Sequence, residues 1–341
     1  MRKQIVVLGA GSWGTALATV LTDNGHQVTL WGRREDLISE INEKHTNEKY
    51  LPGIKLPEQL TATTSLSEAL ANKEIVLFVV PSHSFRSIVK QASAWIEPGA
   101  LIIHAVKGFE KRTAKRMSEV LIEELPEHFQ TKIAVLSGPS HAEEVVRKLP
   151  TTVVVASENQ EVAEDLQGAF INDYFRVYTN SDMVGVEVGG ALKNIIALAA
   201  GLSDGLNCGD NAKAALVTRG LAEVARLGTA MGAKPITYVG LAGVGDLVVT
   251  CTSKHSRNWR AGYMISQGKT LSEVLETMGM VVEGVETTRT VYQLAMRYQV
   301  EMPISEQLHA VLFADKSPAK AVEDLMRRGR TSEWEEIIRS W

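Results

Sequence analysis

Cysteine is scarce in this chain: Cys208 and Cys251 are the only two among 341 residues. Two cysteines so far apart in sequence supply neither a disulfide framework nor the paired spacing of a zinc site. We interpret both as small buried hydrophobic residues of a protein from a reducing compartment. An H-E-x-x-H segment and a paired-carboxylate constellation are also missing, and the histidines show no metal-ligand spacing. We therefore predict no catalytic metal.

The chain has no large excess of charge of one sign. Its formal net charge is -4, with 45% hydrophobic and 22% charged residues, which is ordinary for a soluble globular protein. Without an overall basic excess, nucleic acid is not an expected partner, and any anion site must be local.

Long hydrophobic runs are missing as well. The apolar segment IVVL near the N-terminus is too short for the core of a secretory signal, and glycines follow it at once. The segment around Lys193 comes closest to a membrane span of roughly 20 apolar residues, but Lys193, Asn194 and Glu187 argue against that reading. We predict a cytoplasmic protein with no membrane span.

The two halves of the chain differ in their pattern, and the length favours two domains. The first half alternates amphipathic segments with short β-rich runs, several of them apolar at consecutive positions, as in strands buried on both faces of a parallel sheet. The runs are QIVVL from Gln4, QVTLW from Gln27, EIVLFVV from Glu74, ALIIHAV from Ala100, KIAVL from Lys132, TTVVVA from Thr151 and YFRVY from Tyr174. Helical periodicity dominates the second half. We predict an α/β domain with a mostly parallel, doubly wound sheet at 1–180, and an all-helical domain at 181–341.

A glycine-rich turn follows the first predicted strand. The segment GAGSWG, residues 9–14, is a G-x-G-x-x-G pattern that comes after a strand and opens a helix. In that context it predicts a dinucleotide site. Gly9 permits the tight turn, Gly11 lets the backbone approach the pyrophosphate, and Gly14 lets helix and strand pack closely. The alternative is a glycine-rich turn with no ligand.

The end of the second strand indicates which dinucleotide is preferred. An NAD-selective site usually has a carboxylate there, but this chain has LWGRRE, with Arg33 and Arg34. Two guanidinium groups suit a 2′-phosphate by charge and by bidentate geometry. We predict NADP(H) as the preferred cofactor, with NAD(H) possible. The alternative is a solvated loop in which the two arginines bind nothing.

Lys193 is the single charge in the apolar segment GGALKNIIALAAGL, residues 189–202. Lysine is among the residues least often buried, and an unpaired buried ammonium is costly. One interpretation places Lys193 on the solvent side of an amphipathic helix. The other places it in a pocket, where it transfers a proton.

Several further motifs decide between these alternatives. They are AVKGFE with Lys107, LSGPSHAEEV with Gly138 and Ser140, GLAGVGDLVVT with Asp246, the triplet Ser256-Arg257-Asn258, and VVEGVETT with Val281 and Glu283. Together with GAGSWG and the Lys193 segment, this pattern resembles the NAD(P)-dependent glycerol-3-phosphate dehydrogenases of bacterial type. The motifs extend from residue 9 to about residue 287, in the order of that family.

The resemblance implies a Rossmann-type domain, a helical domain and a reaction. That reaction is the reversible NAD(P)H-dependent reduction of dihydroxyacetone phosphate to sn-glycerol 3-phosphate, which supplies phospholipid synthesis. It implies that Lys193 is the proton donor and acceptor. The implied substrate-binding residues are Lys107, Gly138, Ser140, Asp246, Ser256, Arg257 and Asn258. The implied cofactor-binding residues are Gly9, Gly11, Ser12, Trp13, Gly14, Arg33, Arg34, Lys107, Ala142, Arg257, Val281 and Glu283.

Elementary chemistry agrees with several of these roles. A buried lysine beside another cation has a lowered pKa and can protonate a developing alkoxide. Ser256 can cap a helix whose first turn holds Arg257 and Asn258, which suits a phosphate. Asp246 could accept a substrate hydroxyl, orient Lys193 or only cap a helix. Glu283 could contact the cofactor or be a first-turn helix acid. The residues alone do not separate these alternatives.

Two other functions compete with this interpretation. One is a ketopantoate or hydroxyacid reductase with the same two-domain plan, although a bare carboxylate substrate would explain the cations and the Ser256 helix start less well. The other is a non-catalytic NADPH-sensing protein, which need not contain Lys193, Lys107 and Asp246 together. A homodimer is plausible, because the apolar helical half could offer an interface.

Overall fold

The structure is a computed structural model that describes residues 2–279, 281–330 and 332–333. The chain forms two compact units. The first unit comprises residues 1–106 and 117–183, and the second comprises residues 107–116 and 184–341. The sequence-based division at residue 180 did not separate the segment 107–116, whose Phe109 and Ala114 pack into the core of the second unit. Residues 334–341 of the predicted second domain lie outside the described residues.

The first unit is built on a sheet of eight strands. Its order is β10-β9-β8-β7-β6-β1-β2-β5, and all neighbouring strands are parallel except β8 and β9. A separate antiparallel pair is formed by β3 and β4. The strands are β1 (Gln4–Leu8), β2 (Gln27–Trp31), β3 (Thr46–Asn47), β4 (Leu51–Lys55), β5 (Thr61–Thr63), β6 (Ile75–Phe78), β7 (Leu101–His104), β8 (Ile133–Ser137), β9 (Thr151–Ala156) and β10 (Phe175–Asn180).

Helices cover this sheet, and β1 occupies a central position between β2 and β6. The helices of the first unit are α1 (Ser12–Asp23), α2 (Glu35–Lys44), α3 (Leu66–Leu70), α4 (Ser82–Ala92), α5 (Met117–Glu124), α6 (Ala142–Val145) and α7 (Gln160–Phe170), with a 3₁₀ helix at Glu127–Lys132. The chain leaves β1 toward β2 and β5 on one side and returns to β6 on the other. The carboxyl end of β1 is therefore a topological switch point, where open α/β sheets bind ligands.

The second unit is helical in its described part. Its helices are α8 (Met183–Gly205), α9 (Asp210–Ala230), α10 (Asp246–Thr252), α11 (Arg257–Ser266), α12 (Leu271–Met278), α13 (Glu283–Tyr298), α14 (Pro303–Phe313) and α15 (Pro318–Met326). A 3₁₀ helix at Pro235–Val239 and a π-helix at Leu241–Gly245 precede α10. The first residue of α8, Met183, belongs to the first unit.

The central helix α8 is the core of this unit. By length and composition it could cross a membrane, but it is mostly buried by protein, as is typical of a core helix. Val188, Leu192 and Ile195 on α8 are buried and pack in one cluster with residues of α9, α11 and α13. The apolar composition around Lys193 is therefore explained by packing within the helical unit.

The predicted fold class is confirmed. Each of the seven predicted β-rich runs overlaps a strand, and the sheet is mostly parallel. The sequence analysis missed β5 and the pair β3–β4. These strands are two to five residues long, and β4 contains a proline and a glycine. Such segments form strands because an adjacent strand is available for pairing. They contain no run of β-branched residues from which a strand could be predicted.

Candidate active site

The glycine turn lies at the carboxyl end of β1 and leads directly into α1. Gly9 has a φ of +130°, and a Cβ there would lie 2.6 Å from the carbonyl oxygen of Val79. A Cβ on Gly14 would lie 1.8 Å from the oxygen of Gly9. Both glycines are thus required by packing within the first unit, as the pattern predicts.

Gly11 differs from the other two glycines. Its φ is −78°, and a Cβ there would meet nothing within 4 Å. Gly11 is also the N-cap of α1, where no side chain caps the helix and the first turn holds no acidic residue. Open space in front of uncapped N–H groups and the positive end of a helix fits the pyrophosphate of a dinucleotide. Ser12 and Trp13 follow as the first residues of α1.

The two arginines after β2 differ in their contacts. Both are exposed. Arg34 is bound to Asp36, with Nε donating to Oδ1 at 3.0 Å and a second bond from Nη2 to Oδ2. Arg33 forms no hydrogen bond or ion pair within the described residues. The guanidinium of Arg33 is therefore available to an external anion, whereas that of Arg34 is already partly neutralised.

The motif after β8 is also in the first unit. Gly138 has a φ of +126°, a conformation that favours glycine, and the Ser140 hydroxyl donates to its carbonyl oxygen at 2.9 Å. Ala142 is the first residue of α6 and is buried in the core of that unit. Trp13 packs against the same core.

Lys193 lies in the second unit and is only 7% exposed, so the interpretation that places it on the solvent side of a helix is wrong. Its Nζ donates to Oδ1 of Asp246 and, at 2.9 Å, to the hydroxyl of Thr250. Asp246 is fully buried, and its other oxygen accepts from Nζ of Lys107 at 2.6 Å. We call Lys107, Lys193, Asp246 and Thr250 the lysine–aspartate cluster. It brings together three predicted site residues that are far apart in sequence.

Burial and charge set the protonation of this cluster. Burial lowers the pKa of Lys193 to about 7; the neighbouring Lys107 lowers it as well, and Asp246 acts in the opposite direction. Burial disfavours the ionised form of Asp246, but the two lysines outweigh that effect and lower the pKa of its carboxyl group. A lysine whose pKa lies near neutral pH can both give and take a proton.

Close backbone packing positions Asp246 beside Lys193. Gly189 lies one turn before Lys193 on α8, and a Cβ there would lie 2.4 Å from the carbonyl oxygen of Ala242 in the π-helix. The π-helix then leads into α10, which begins at Asp246. Because residues four apart share a helix face, the glycine admits the π-helix at the position from which Lys193 can reach Asp246.

The triplet at the start of α11 is arranged as the sequence predicts. Ser256 is the N-cap, and its hydroxyl oxygen accepts from the backbone N–H of Trp259 at 3.2 Å. Arg257 is exposed at the first helical position, and Nη1 donates to the carbonyl oxygen of Val281 at 3.4 Å. Arg257 and Val281, both predicted to bind cofactor, are therefore neighbours in the second unit.

Asn258 is buried and already has two partners. Its amide nitrogen donates to Oδ1 of Asn194 at 2.9 Å, and its amide oxygen accepts from the backbone N–H of Gly284 at 2.9 Å. It thereby links α8 and α11 to the start of α13. Among the described residues the second amide hydrogen has no acceptor, so it can serve a ligand. Glu283 is the first residue of α13 and half-buried, so it is a first-turn acid, and contact with a cofactor remains a prediction.

Sequence reasoning missed Thr250. Its hydroxyl accepts from Lys193 and donates to the backbone oxygen of Asp246 at 2.6 Å, so it holds the ammonium group at a second point. The available signal was its spacing, four residues after Asp246, which places both on one face of a helix. Cys251 is fully buried next to it, and burial raises the pKa of its thiol to about 12. Cys208, in contrast, is only partly buried.

In the part of the chain that the structure describes, no group of three His, Cys, Asp or Glu side chains could hold a metal ion. The predicted site residues fall into two sets, one in each unit. The first unit holds Gly9, Gly11, Ser12, Trp13, Gly14, Arg33, Arg34, Gly138, Ser140 and Ala142. The second unit holds Lys107, Lys193, Asp246, Ser256, Arg257, Asn258, Val281 and Glu283.

A Rossmann-type unit with an open glycine turn, followed by a helical unit with a buried lysine–aspartate cluster, defines a class of NAD(P)-dependent dehydrogenases. Comparison with known proteins identifies the family. The profile of the NAD-dependent glycerol-3-phosphate dehydrogenase N-terminus matches residues 4–163, and that of the C-terminus matches residues 182–323. The chain belongs to the NAD-dependent glycerol-3-phosphate dehydrogenase family and is an NAD(P)-dependent oxidoreductase.

Individual relatives match this chain over nearly its whole length. The chain is 60% identical over 336 residues to a glycerol-3-phosphate dehydrogenase [NAD(P)+] of Geobacillus kaustophilus, which covers 98% of this chain and 97% of the relative. The crystal structure of glycerol-3-phosphate dehydrogenase from Coxiella burnetii is 41% identical, with a TM-score of 0.91, and the match covers 96% of this chain and 99% of that one.

A ketopantoate reductase structure from Ralstonia eutropha also matches, over 94% of this chain and 99% of that one. It is 15% identical with a TM-score of 0.57, which shows a shared fold alone. The rival assignment to ketopantoate or hydroxyacid reductases therefore loses its support, since the family profiles match a different group. The enzymatic assignment and the use of NAD(P) are confirmed, and the preference for NADPH stays a prediction.

Proposed function

We propose that this protein catalyses the reversible NAD(P)H-dependent reduction of dihydroxyacetone phosphate to sn-glycerol 3-phosphate, with Lys193 as proton donor and acceptor. The observation that carries the assignment of Lys193 is its burial in direct contact with Asp246. Burial lowers the pKa of the Lys193 ammonium to about 7. Membership in the glycerol-3-phosphate dehydrogenase family supplies the substrate.

The proton transfer follows from the lysine–aspartate cluster. When bound at the glycine turn, the nicotinamide cofactor would supply the hydride that reduces the substrate carbonyl. Negative charge then develops on the carbonyl oxygen, and the Lys193 ammonium stabilises this charge and protonates it. In the reverse direction the neutral amine accepts the hydroxyl proton. A pKa of about 7 suits both directions near neutral pH.

In this proposal Asp246 orients Lys193 and does not bind the substrate. Both of its carboxylate oxygens already accept from lysines, one from Lys193 and the other from Lys107. Asp246 and Thr250 together fix the direction in which the Lys193 ammonium points. Lys107 is the more exposed lysine, with 19% of its side chain accessible, and we assign it to the substrate.

The start of α11 is our candidate for the phosphate of the substrate. Arg257 is exposed there beside the first turn of a ten-residue helix, and no acidic residue occupies that turn. A guanidinium and the positive end of a helix both favour a phosphate. We keep Ser256 and Asn258 as neighbours of that anion, with Asn258 also holding α11 to α8.

Arg33 is our main determinant of cofactor preference. It has no partner in the described structure, whereas Arg34 is bound to Asp36. We therefore propose that Arg33 binds the 2′-phosphate of NADPH and that Arg34 contributes less to this binding. Gly9, Gly11 and Gly14 shape the turn that would hold the pyrophosphate, and Gly11 leaves the space for it.

We further propose a cytoplasmic enzyme that supplies glycerol phosphate for phospholipid synthesis, as the family resemblance implies. A homodimer is also proposed, on the basis of the apolar helical half. Sedimentation of the purified protein measures its oligomeric state, and a monomer would contradict the dimer.

The deciding experiment mixes the purified protein with dihydroxyacetone phosphate and follows the loss of reduced-nicotinamide absorbance, with NADPH and NADH in parallel. We expect oxidation with both cofactors and faster oxidation with NADPH. Faster oxidation with NADH would leave the enzyme assignment intact and contradict the role of Arg33. Binding of cofactor without any oxidation would contradict the proposed reaction and revive the NADPH-sensing alternative.

A further inference from the structure

The short antiparallel pair β3–β4 is separate from the main sheet of the first unit, and the proposed reaction assigns it no role. Its strand β3 contains Asn47, whose side chain is fully buried. The amide nitrogen of Asn47 donates to the carbonyl oxygen of Ala10 at 3.2 Å and to the hydroxyl of Thr15 at 2.9 Å. The first contact lies in the glycine turn and the second on α1. Asn47 therefore links β3 to both parts of the candidate cofactor site.

Chemistry determines which amide atom of Asn47 faces Ala10. A carbonyl oxygen only accepts hydrogen bonds, so the atom beside it must be the NH₂ group of the amide. The hydroxyl of Thr15 could accept or donate, and it is compatible with this orientation. Ala10 is itself buried, so a side chain without an N–H group at position 47 would leave its carbonyl oxygen without this donor. The contact with Ala10 therefore requires a donor at position 47.

Glu40 of α2 fixes the backbone on both sides of Asn47. Its Oε1 atom accepts from the hydroxyl of Thr46 at 2.8 Å and from the backbone N–H of Glu48 at 2.8 Å. The carbonyl oxygen of Asn47 accepts from the backbone N–H of Tyr50 at 3.1 Å, at the turn that leads into β4. The side chain of Asn47 thus extends from an anchored backbone, as is expected of a residue that holds another group in place.

The bond to the Ala10 carbonyl also sets the direction of the next N–H group. The peptide between Ala10 and Gly11 is trans, so its C=O and its N–H point in opposite directions. Asn47 therefore keeps the N–H of Gly11 directed away from β3. Among the described residues this N–H has no hydrogen-bond partner, and a Cβ on Gly11 would meet nothing within 4 Å. The unpaired donor and the open space both belong to the residue that we expect to approach the pyrophosphate.

We propose that Asn47 is a positioning residue for the dinucleotide: it holds the Ala10–Gly11 peptide in the orientation that offers the N–H of Gly11 to the pyrophosphate. This inference rests on the proposed assignment of the glycine turn to the cofactor. It gives the pair β3–β4 a function, since this pair carries Asn47 to the turn. The competing interpretation is that Asn47 stabilises the first unit and has no effect on the cofactor.

The test measures the Kd of NADPH from its nicotinamide fluorescence, without substrate, for the full chain and for its Asn47→Leu variant. Leucine has the same branching as asparagine but no N–H group. We expect the Kd to increase roughly threefold to tenfold, the scale of one lost hydrogen bond between neutral groups. In turnover, the KM for NADPH should increase by a similar factor. The kcat at saturating NADPH and the KM for dihydroxyacetone phosphate should stay within about twofold of wild type.

Two control variants separate positioning of the turn from structural support. Thr15→Val removes the second partner of Asn47 and keeps the contact with Ala10, so the Kd should change less than about twofold. Asn24→Leu removes a bond of the same kind at the opposite end of α1, where the amide nitrogen donates to the carbonyl oxygen of Ala169 at 2.8 Å. This variant should lower thermal stability and leave the Kd unchanged. If circular dichroism shows that Asn47→Leu does not fold, Asn47→Ala replaces it with the same expected increase.

Two results would overturn the proposal. One is an unchanged Kd in a folded Asn47 variant, and the other is an equal increase in Thr15→Val or Asn24→Leu. The Gly11→Ala variant separates this failure from failure of the cofactor assignment. If Gly11→Ala weakens NADPH binding and the Asn47 variant does not, the turn binds the cofactor and Asn47 does not position it. If neither variant weakens binding, the assignment of the glycine turn is itself wrong.

Discussion

The pH dependence of the two reaction directions tests the role of Lys193 most directly. Reduction needs the ammonium form, which is lost as pH rises through the pKa of about 7. We therefore expect kcat/KM for reduction to be constant at low pH and to fall tenfold per pH unit above the pKa. Oxidation needs the neutral amine, so its kcat/KM should rise through the same pH range and level off above it.

The Asp246→Asn variant should move this transition. Asp246 raises the pKa of Lys193 by charge and by a hydrogen bond, while burial and Lys107 lower it. An opposite charge in contact is worth about 1 to 3 in pKa, so its removal should bring the pKa of Lys193 to about 4 to 6. At pH 7 the ammonium fraction then becomes small, and we expect reduction to lose on the order of 5- to 500-fold in kcat/KM.

The assay follows nicotinamide absorbance from pH 5 to pH 9 in both directions, for the wild type and for the variant. Asp204→Asn is the matched control. Asp204 also lies on α8, eleven residues from Lys193, and is bound to Lys213 and to Trp259. That distance is about 16 Å along a helix, so this variant should keep the wild-type transition. A transition that stays at the same pH in Asp246→Asn would refute the coupling between Asp246 and Lys193.

Three other predictions concern the individual parts of the site. Lys193→Ala should fold and bind cofactor but lose roughly 10²-fold or more in turnover, and near-normal turnover would contradict its role. Gly11→Ala should fold normally but weaken cofactor binding, measured by nicotinamide fluorescence, because its Cβ would fill the open space proposed for the pyrophosphate. Gly14→Ala should instead lower thermal stability, because its Cβ would lie 1.8 Å from a backbone oxygen. Arg33→Ser should weaken NADPH binding by roughly tenfold or more and leave NADH nearly unchanged, with a smaller effect for Arg34→Ser; equal losses for both cofactors would exclude a 2′-phosphate contact.

Much of the fold was accessible from the sequence because its signals are local. Consecutive apolar β-branched residues marked the central strands, and the glycine turn between β1 and α1 marked the candidate cofactor site. The three-residue strand β5 carries no such signal, since it forms by pairing with β2. The structure places the segment 107–116 in the second unit, which chain order alone could not show, because its packing partners follow it by about 70 residues or more.

The candidate site was only partly accessible in this way. The motifs named Lys107, Lys193 and Asp246, but they could not say whether Asp246 meets substrate or lysine. The structure places one carboxylate oxygen against each lysine and adds Thr250, which no motif had indicated. Arg33 and Arg34 looked equivalent in sequence, and the ion pair between Arg34 and Asp36 distinguishes them.

The sequence by itself determined the class of fold, the glycine turn and the family, since these depend on residue type and spacing over short stretches. Only the tertiary structure decided how Lys193 is protonated. Its pKa depends on burial and on two charges that are 53 and 86 positions away in the chain. Tertiary packing brings these charged groups next to Lys193, here through the close approach of the π-helix to Gly189. No local sequence pattern encodes that approach.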